Sequence, residues 1–172
     1  MCGIWAYISK NKKNYYEYFN KISHRGPDAS SYISLKRADI GFHRLSIIEK
    51  SFNGLQPFID NNIILICNGE IYNYKMLSKN LKTKSKSDCE IIIHLYKAYG
   101  IEYIFDLLDG VFAFVLYDSN IQKVLAVFFF LPSSYRRFRI CECLRTADLG
   151  SECLRTGSEC LRTGVEFADE NI

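Results

Sequence analysis

Apolar residues fall in short runs divided by turn-forming residues, the pattern of a sheet protein with a few helices. Ile4-Trp5-Ala6-Tyr7-Ile8, rich in β-branched and aromatic residues, predicts a first strand. Tyr15 to Ile22 predicts a short helix, ended by the turn-like His24-Arg25-Gly26-Pro27-Asp28. Ser31 to Leu35 and Ile40 to Leu45 predict neighbouring strands. Ile63-Ile64-Leu65-Ile66-Cys67 is a continuous apolar run, as in a strand buried on both faces. Ser87-Asp88-Cys89-Glu90 spells a capping box, in which the Ser87 hydroxyl takes an amide near the helix start and Glu90 reaches back. The helix behind it runs from Ile91 to Gly100, a natural terminating residue. Val111 to Tyr117 and Val124 to Phe130 predict a hairpin around Asp118-Ser119-Asn120. Strands dominate and helices remain to cover them, which predicts an α+β layered fold.

Composition narrows the class. The 172 residues are 48% hydrophobic, 15% aromatic and 24% charged, which describes one globular domain rather than a disordered chain. Lys+Arg 22 against Asp+Glu 19 leaves +3, too balanced to argue for nucleic acid or a membrane surface as partner. The longest apolar run, Val124 to Leu131, is far shorter than the ~20 residues of a spanning helix. Met1-Cys2-Gly3-Ile4-Trp5 lacks the basic-then-apolar pattern of a signal peptide. The expected compartment is therefore the cytoplasm, with the 7 cysteines as reduced thiols. Cys67, Cys89, Trp5 and His94 read as core residues.

The chain changes character near its end. Lysine occurs from Lys10 to Lys123 and then stops; beyond Pro132 every basic residue is arginine. Glu-Cys-Leu-Arg-Thr recurs at 142–146, 152–156 and 159–163, with spacings that differ and suit neither helix nor solenoid. The expectation is a domain over 1–127 and an arginine- and cysteine-rich tail over 128–172 that buries little and stays disordered. Cys141 and Cys143 lack the paired Cys-x-x-Cys spacing of a structural zinc site, so no metal is expected.

Three features carry candidate chemistry. Cys2, once Met1 is trimmed, holds a thiol of pKa ~8.5 and an α-amine of pKa ~7.7–8.0 on one residue, so the amine can take the thiol proton. Asn68-Gly69 after the buried strand offers a side-chain amide and a glycine N–H, the parts of an oxyanion hole; taken alone, Asn-Gly reads first as a hairpin turn. Arg44, Glu70 and Asp88 can together grip an amino acid by its carboxylate and amine. The plain alternatives are a solvated Arg44 and an Asp88 that only stabilises a helix N-terminus.

Six blocks appear in order: Met1-Cys2-Gly3-Ile4, His24-Arg25-Gly26-Pro27-Asp28, His43-Arg44-Leu45-Ser46-Ile47, Asn68-Gly69-Glu70-Ile71-Tyr72-Asn73, Ser87-Asp88-Cys89-Glu90, and Phe112-Ala113-Phe114 through Asp118. This set resembles the N-terminal glutaminase domain of glutamine-dependent asparagine synthetases, class II glutamine amidotransferases of the N-terminal-nucleophile hydrolase fold. The resemblance implies a four-layer αββα sandwich. It implies Cys2 as nucleophile, Asn68 and Gly69 as oxyanion donors, Arg44 holding the glutamine α-carboxylate, and Glu70 with Asp88 holding its α-amine. His24 and Arg25 are given no chemistry.

The resemblance stops near Val127, and no Ser-Gly-Gly-Leu-Asp-type pyrophosphate loop follows. The expected partners are glutamine and a synthetase domain or a second copy; ATP and magnesium would act in the synthetase domain, with no cofactor in this chain. The abrupt change at the tail reads as a truncated frame joined to unrelated sequence. Such a sandwich would be incomplete, leaving Phe112, Phe114 and Phe128 to Phe130 partly uncovered. The alternatives are an inactive remnant, a binding module, or another class II glutamine amidotransferase.

Overall fold

The structure is a computed structural model that describes residues 2–8, 15–36, 38–47 and 49–127, with 128–130 and 137–143 as backbone. Two antiparallel sheets carry it. The smaller is ordered β1-β3-β2, from Gly3–Ile8 (β1), Ala29–Ser34 (β2) and Ala38–Arg44 (β3). The larger is ordered β4 to β8, from Phe58–Asp60 (β4), Ile63–Ile71 (β5), Gly110–Asp118 (β6), Lys123–Phe130 (β7) and Arg137–Cys143 (β8). Helix α1 spans Tyr16–Asn20, α2 Tyr74–Leu77, α3 Ile91–Tyr99 and α4 Ile101–Leu107.

Strand periodicity distributes the core. Alternate side chains point to opposite faces of a strand. On β5, Ile63, Leu65, Cys67 and Ile71 pack with Phe112, Phe114, Leu125 and the apolar face of α3 and α4. Ile64 and Ile66 pack on the other side with Ala113, Val115 and Ala126 of the same sheet and Ile4, Ile40 and Phe42 of the smaller one. A third cluster, Trp5, Tyr7, Phe19 and Ile22, lies where α1 meets the outer face of the smaller sheet. The continuous apolar run thus marked a strand buried on both faces.

The structure departs from the expectations at several points. β5 does not turn at Asn68-Gly69 but runs on to Ile71, with Asn68 opposite Ala113 and Gly69 opposite Phe112. The hairpin reading of that dipeptide fails because β6 supplies a full-length partner. The Ser87–Glu90 capping box does not form. Ser87 makes no side-chain cap, and Glu90 turns away to accept from the amides of Lys84 and Ser85 at 2.7 Å each and from the Ser85 hydroxyl at 2.6 Å. Gly100 (φ 79°) ends α3 as expected, but also opens α4, which the turn signal concealed. Phe112 and Phe114 are buried under α3 and α4, against the expectation that truncation would uncover them; the phenylalanine side chains at 128–130 lie outside the described residues. His94 is half-buried, its Nε2 3.7 Å from a Glu90 carboxylate oxygen, rather than sealed in the core.

Within 128–172, residues 128–130 continue β7 and Arg137–Cys143 pairs antiparallel along it, from Phe130↔Arg137 to Val124↔Cys143. The alternation Arg137-Phe138-Arg139-Ile140 is a period-two pattern that suits an edge strand. The two later repeat copies lie outside the described residues. Among the described residues no helix is long and apolar enough to cross a membrane, and no three His, Cys, Asp or Glu side chains converge as metal ligands.

Candidate active site

Cys2 enters the smaller sheet one residue before β1 and packs against the inter-sheet core. Its Sγ lies 3.3 Å from the Leu45 amide and 3.5 Å from the Leu45 carbonyl, just past the end of β3. Arg25 donates through Nε to the Cys2 carbonyl at 3.3 Å. Two sequence blocks are clasped around this point. The Asp28 amide donates to the Arg44 carbonyl at 3.0 Å, and Asp28 Oδ2 accepts from the Ser46 amide at 2.7 Å. The loop 24–28 that the sequence left without chemistry therefore frames the Cys2 thiol.

Burial pushes the Cys2 thiol above its ordinary value, against the Leu45 amide and the Arg44 charge, which pull it down. An unassisted Cys2 is thus a thiol rather than a thiolate at neutral pH. In the core on the other face of β5 lie Cys67 and Cys89, both buried and free. Hydrogen bonding to Cys67, then burial, holds the Cys89 thiol well above its ordinary value.

Asn68 follows Cys67 on β5. By strand alternation its side chain shares the face of Ile64 and Ile66, the face on which Cys2 packs. It is 9% exposed, and among the described residues its amide has no hydrogen-bond partner. A buried, unpaired amide is costly, by about 1–3 kcal/mol, and rare enough in folded proteins to call for an explanation. Gly69 follows with φ 152°; a Cβ there would stand 2.3 Å from the Val111 carbonyl oxygen and 2.4 Å from the Phe112 Cα. Only glycine fits that conformation and that approach.

The charged set is brought to the same end of the molecule. Arg44 is 5% exposed, not solvated: Nη1 donates to the Ser51 carbonyl at 2.8 Å and Nη2 to the Glu49 carbonyl. Gly54 makes room for it, since a Cβ there would meet Nη2 at 2.8 Å. Two of its five N–H donors are so engaged. Glu70 is exposed beyond Gly69. Asp88 is buried, and its Oδ2 accepts from the Ile71 amide at 2.7 Å, so it ties the 88–90 turn to β5 rather than serving a helix end alone. Burial raises its carboxyl above the ordinary value despite backbone amides at Ile71, Asp88 and Cys89, and the nearby Glu70 carboxylate raises it further.

Sequence reasoning missed Leu45, Glu49 and Gln56. Glu49 carries no motif, yet its carboxylate accepts from the Ser51 amide at 2.9 Å and the Lys86 amide at 3.1 Å, bridging the loops that hold Arg44 and Asp88. Those amides keep its carboxyl below the ordinary value. Backbone contacts of this kind leave no trace in residue type.

Comparison with known proteins identifies the family. The glutamine amidotransferase domain family matches residues 1–127. A probable glutamine-hydrolysing asparagine synthetase of Acanthamoeba polyphaga mimivirus is 41% identical over 138 residues, 73% of this chain and 25% of that protein. A glutamine-hydrolysing asparagine synthetase of Bacillus subtilis is 43% identical over 111 residues, 62% of this chain and 15% of that protein. The amidase chyE of Penicillium rubens is 44% identical over 111 residues, 61% of this chain and 16% of that protein. The chain thus spans about a quarter or less of the length of the curated relatives it matches. A match across all of residues 1–127, with the relatives above, makes this chain a member of the glutamine amidotransferase domain family.

Proposed function

We propose that this domain hydrolyses glutamine to glutamate and ammonia through a thioester on Cys2. The observation that carries the reading is the buried amide of Asn68, which has no partner among the described residues, on the face where Cys2 packs and next to a glycine that no other residue replaces. Removal of Met1 frees the Cys2 α-amine. That amine takes the proton from a thiol that burial keeps protonated. Sulfur attacks the γ-carbonyl carbon, and the resulting oxyanion is met by the Asn68 amide and the Gly69 N–H. The C–N bond breaks, the α-ammonium returns its proton to the leaving nitrogen, and ammonia departs. Water then adds to the thioester, glutamate leaves, and Sγ regains its proton.

Arg44 has donors left for the substrate α-carboxylate, while Glu70 and Asp88 present carboxylates to its α-amine. We infer the N-terminal-nucleophile hydrolase sandwich as the fold, with α1, the smaller sheet, the larger sheet and α3–α4 as successive layers; the three apolar clusters between them support it. The names of the relatives, glutamine-hydrolysing asparagine synthetases, support ammonia passing to a synthetase domain; the ATP and magnesium of that domain are what the sequence resemblance implies, and a cytoplasmic setting is the expectation from the sequence. The test is glutamate and ammonia release from glutamine by the whole chain, beside Cys2→Ala. Equal release by the two proteins would refute the reading.

A further inference from the structure

Gln56 stands outside every motif that points to the family, yet it is 5% exposed and both polar atoms of its side chain are hydrogen-bonded. Its Nε2 donates to the Cys67 carbonyl at 3.0 Å, and its Oε1 accepts from the Cys67 amide at 2.5 Å. The partners fix the amide orientation, because a backbone N–H only donates and a carbonyl only accepts. The Gln56 backbone carbonyl in turn accepts from the Ser31 hydroxyl on β2.

The reason for the arrangement lies in the register of β4. Its pairing with β5 runs Asp60↔Ile63, Ile59↔Ile64 and Phe58↔Leu65 and then stops. Continued, it would set Pro57 against Ile66 and residue 56 against Cys67. Proline has no N–H to donate, so the ladder breaks there. The Gln56 side chain takes over as a surrogate peptide group and satisfies both backbone atoms of a residue that is 1% exposed. The clamped residue is the one before Asn68. Through Ser31 the same glutamine is tied to the sheet that Cys2 leads into.

We propose that Gln56 is a positioning residue for the oxyanion site, setting the Asn68 amide relative to Cys2 Sγ through the backbone of Cys67. The inference rests on the glutaminase reading. Pairing with β6 runs the whole length of the strand, and beyond Gly69 the Asp88 carboxylate adds a separate hold at the Ile71 amide. Loosening Cys67 should therefore disturb the donor needed in the transition state more than the groups that hold the substrate ends.

The test uses glutamine hydrolysis by the full chain carrying Gln56→Met or Gln56→Glu, with thermal unfolding followed on the same samples. Gln56→Met keeps length and loses both hydrogen bonds. Its kcat should fall about 10–100-fold while KM stays within about twofold. Gln56→Glu keeps both bonds only while its carboxyl is protonated. Its kcat relative to wild type at the same pH should climb toward unity as pH is lowered, whereas the ratio for Gln56→Met stays flat. An unchanged kcat in Gln56→Met, equal loss in kcat and 1/KM, or a pH-independent ratio for a folded Gln56→Glu would overturn the assignment. A wild-type chain that releases no glutamate would overturn the glutaminase reading and this inference with it. An active wild type indifferent to Gln56 overturns the inference alone.

Discussion

The two ends of β5 differ in a way that cavity size does not reveal. At the Ile63 end a groove of about 550 Å³ is lined by Asp60, Asn62, Tyr96, Lys97, Asp118 and Asn120. These groups are spent on one another. Lys97 Nζ sits 2.6 Å from Asp60 Oδ2, the Tyr96 hydroxyl donates to Asp118 at 3.1 Å, and Asn62 donates to Asn120 at 2.6 Å. About 17 Å along the strand, at ~3.4 Å per residue, the Asn68 amide is buried with nothing among the described residues to bond. The polar groups lining the groove answer one another, whereas the Asn68 amide has no partner among the described residues. An unsatisfied polar group, more than an empty volume, marks where a ligand atom belongs.

That contrast is broken most forcefully at Cys2, the proposed nucleophile. Cys2→Ala should lower glutamine hydrolysis about 10³-fold or more, measured as glutamate release, while thermal unfolding barely moves. Asn68→Ala comes next: kcat should fall about 10²–10³-fold with KM little changed, and the protein should be no less stable, because an unpaired amide contributes nothing to lose. Asn62→Ala should give the reverse, full activity with a loss of about 0.5–1.5 kcal/mol in denaturant unfolding. An Asn68→Ala variant that unfolds more easily than Asn62→Ala would erase the distinction between the two ends.

The smallest effect is one of pH. Burial first, then the Asp118 carboxylate that Tyr96 donates to, pushes the Tyr96 hydroxyl from 10.0 up to about 12. A group raised in the folded state stabilises fully below its unfolded value and loses that contribution as pH climbs through its folded one. Wild-type stability should therefore decline between about pH 10 and 12 by an amount that Tyr96→Phe lacks. Glutaminase activity at neutral pH should not differ between the two.

Much of the fold was legible because burial on both faces writes itself as an uninterrupted apolar run. Ile63 to Cys67 and the Val111 and Val124 hairpin follow from that, while the Ile91 to Gly100 helix was marked by its terminating glycine. What was not legible depends on partners distant in sequence. Asn-Gly reads as a turn unless β6 is known to run alongside it, and Ser87 to Glu90 reads as a cap unless Ser85 is known to capture the glutamate. The three-residue strand β4 is too short to signal, and its continuation by a glutamine side chain has no signature in residue order. At the site, residue type raised Cys2, Asn68, Gly69, Arg44, Glu70 and Asp88 only as candidates, and the family resemblance supplied their proposed roles. It gave no hint that Arg44 also grips the carbonyls of its own loop, because backbone acceptors are the same at every position.

The account depends on a thiol and an amine sharing one residue opposite an amide held in reserve. The most direct measurement is the intact mass of the chain after exposure to a diazoketone analogue of glutamine, with and without glutamine as competitor. It should show loss of Met1 and a single adduct, mapped to Cys2 and suppressed by glutamine. An adduct that forms with Met1 still in place, or a trimmed chain that stays unmodified, would contradict it.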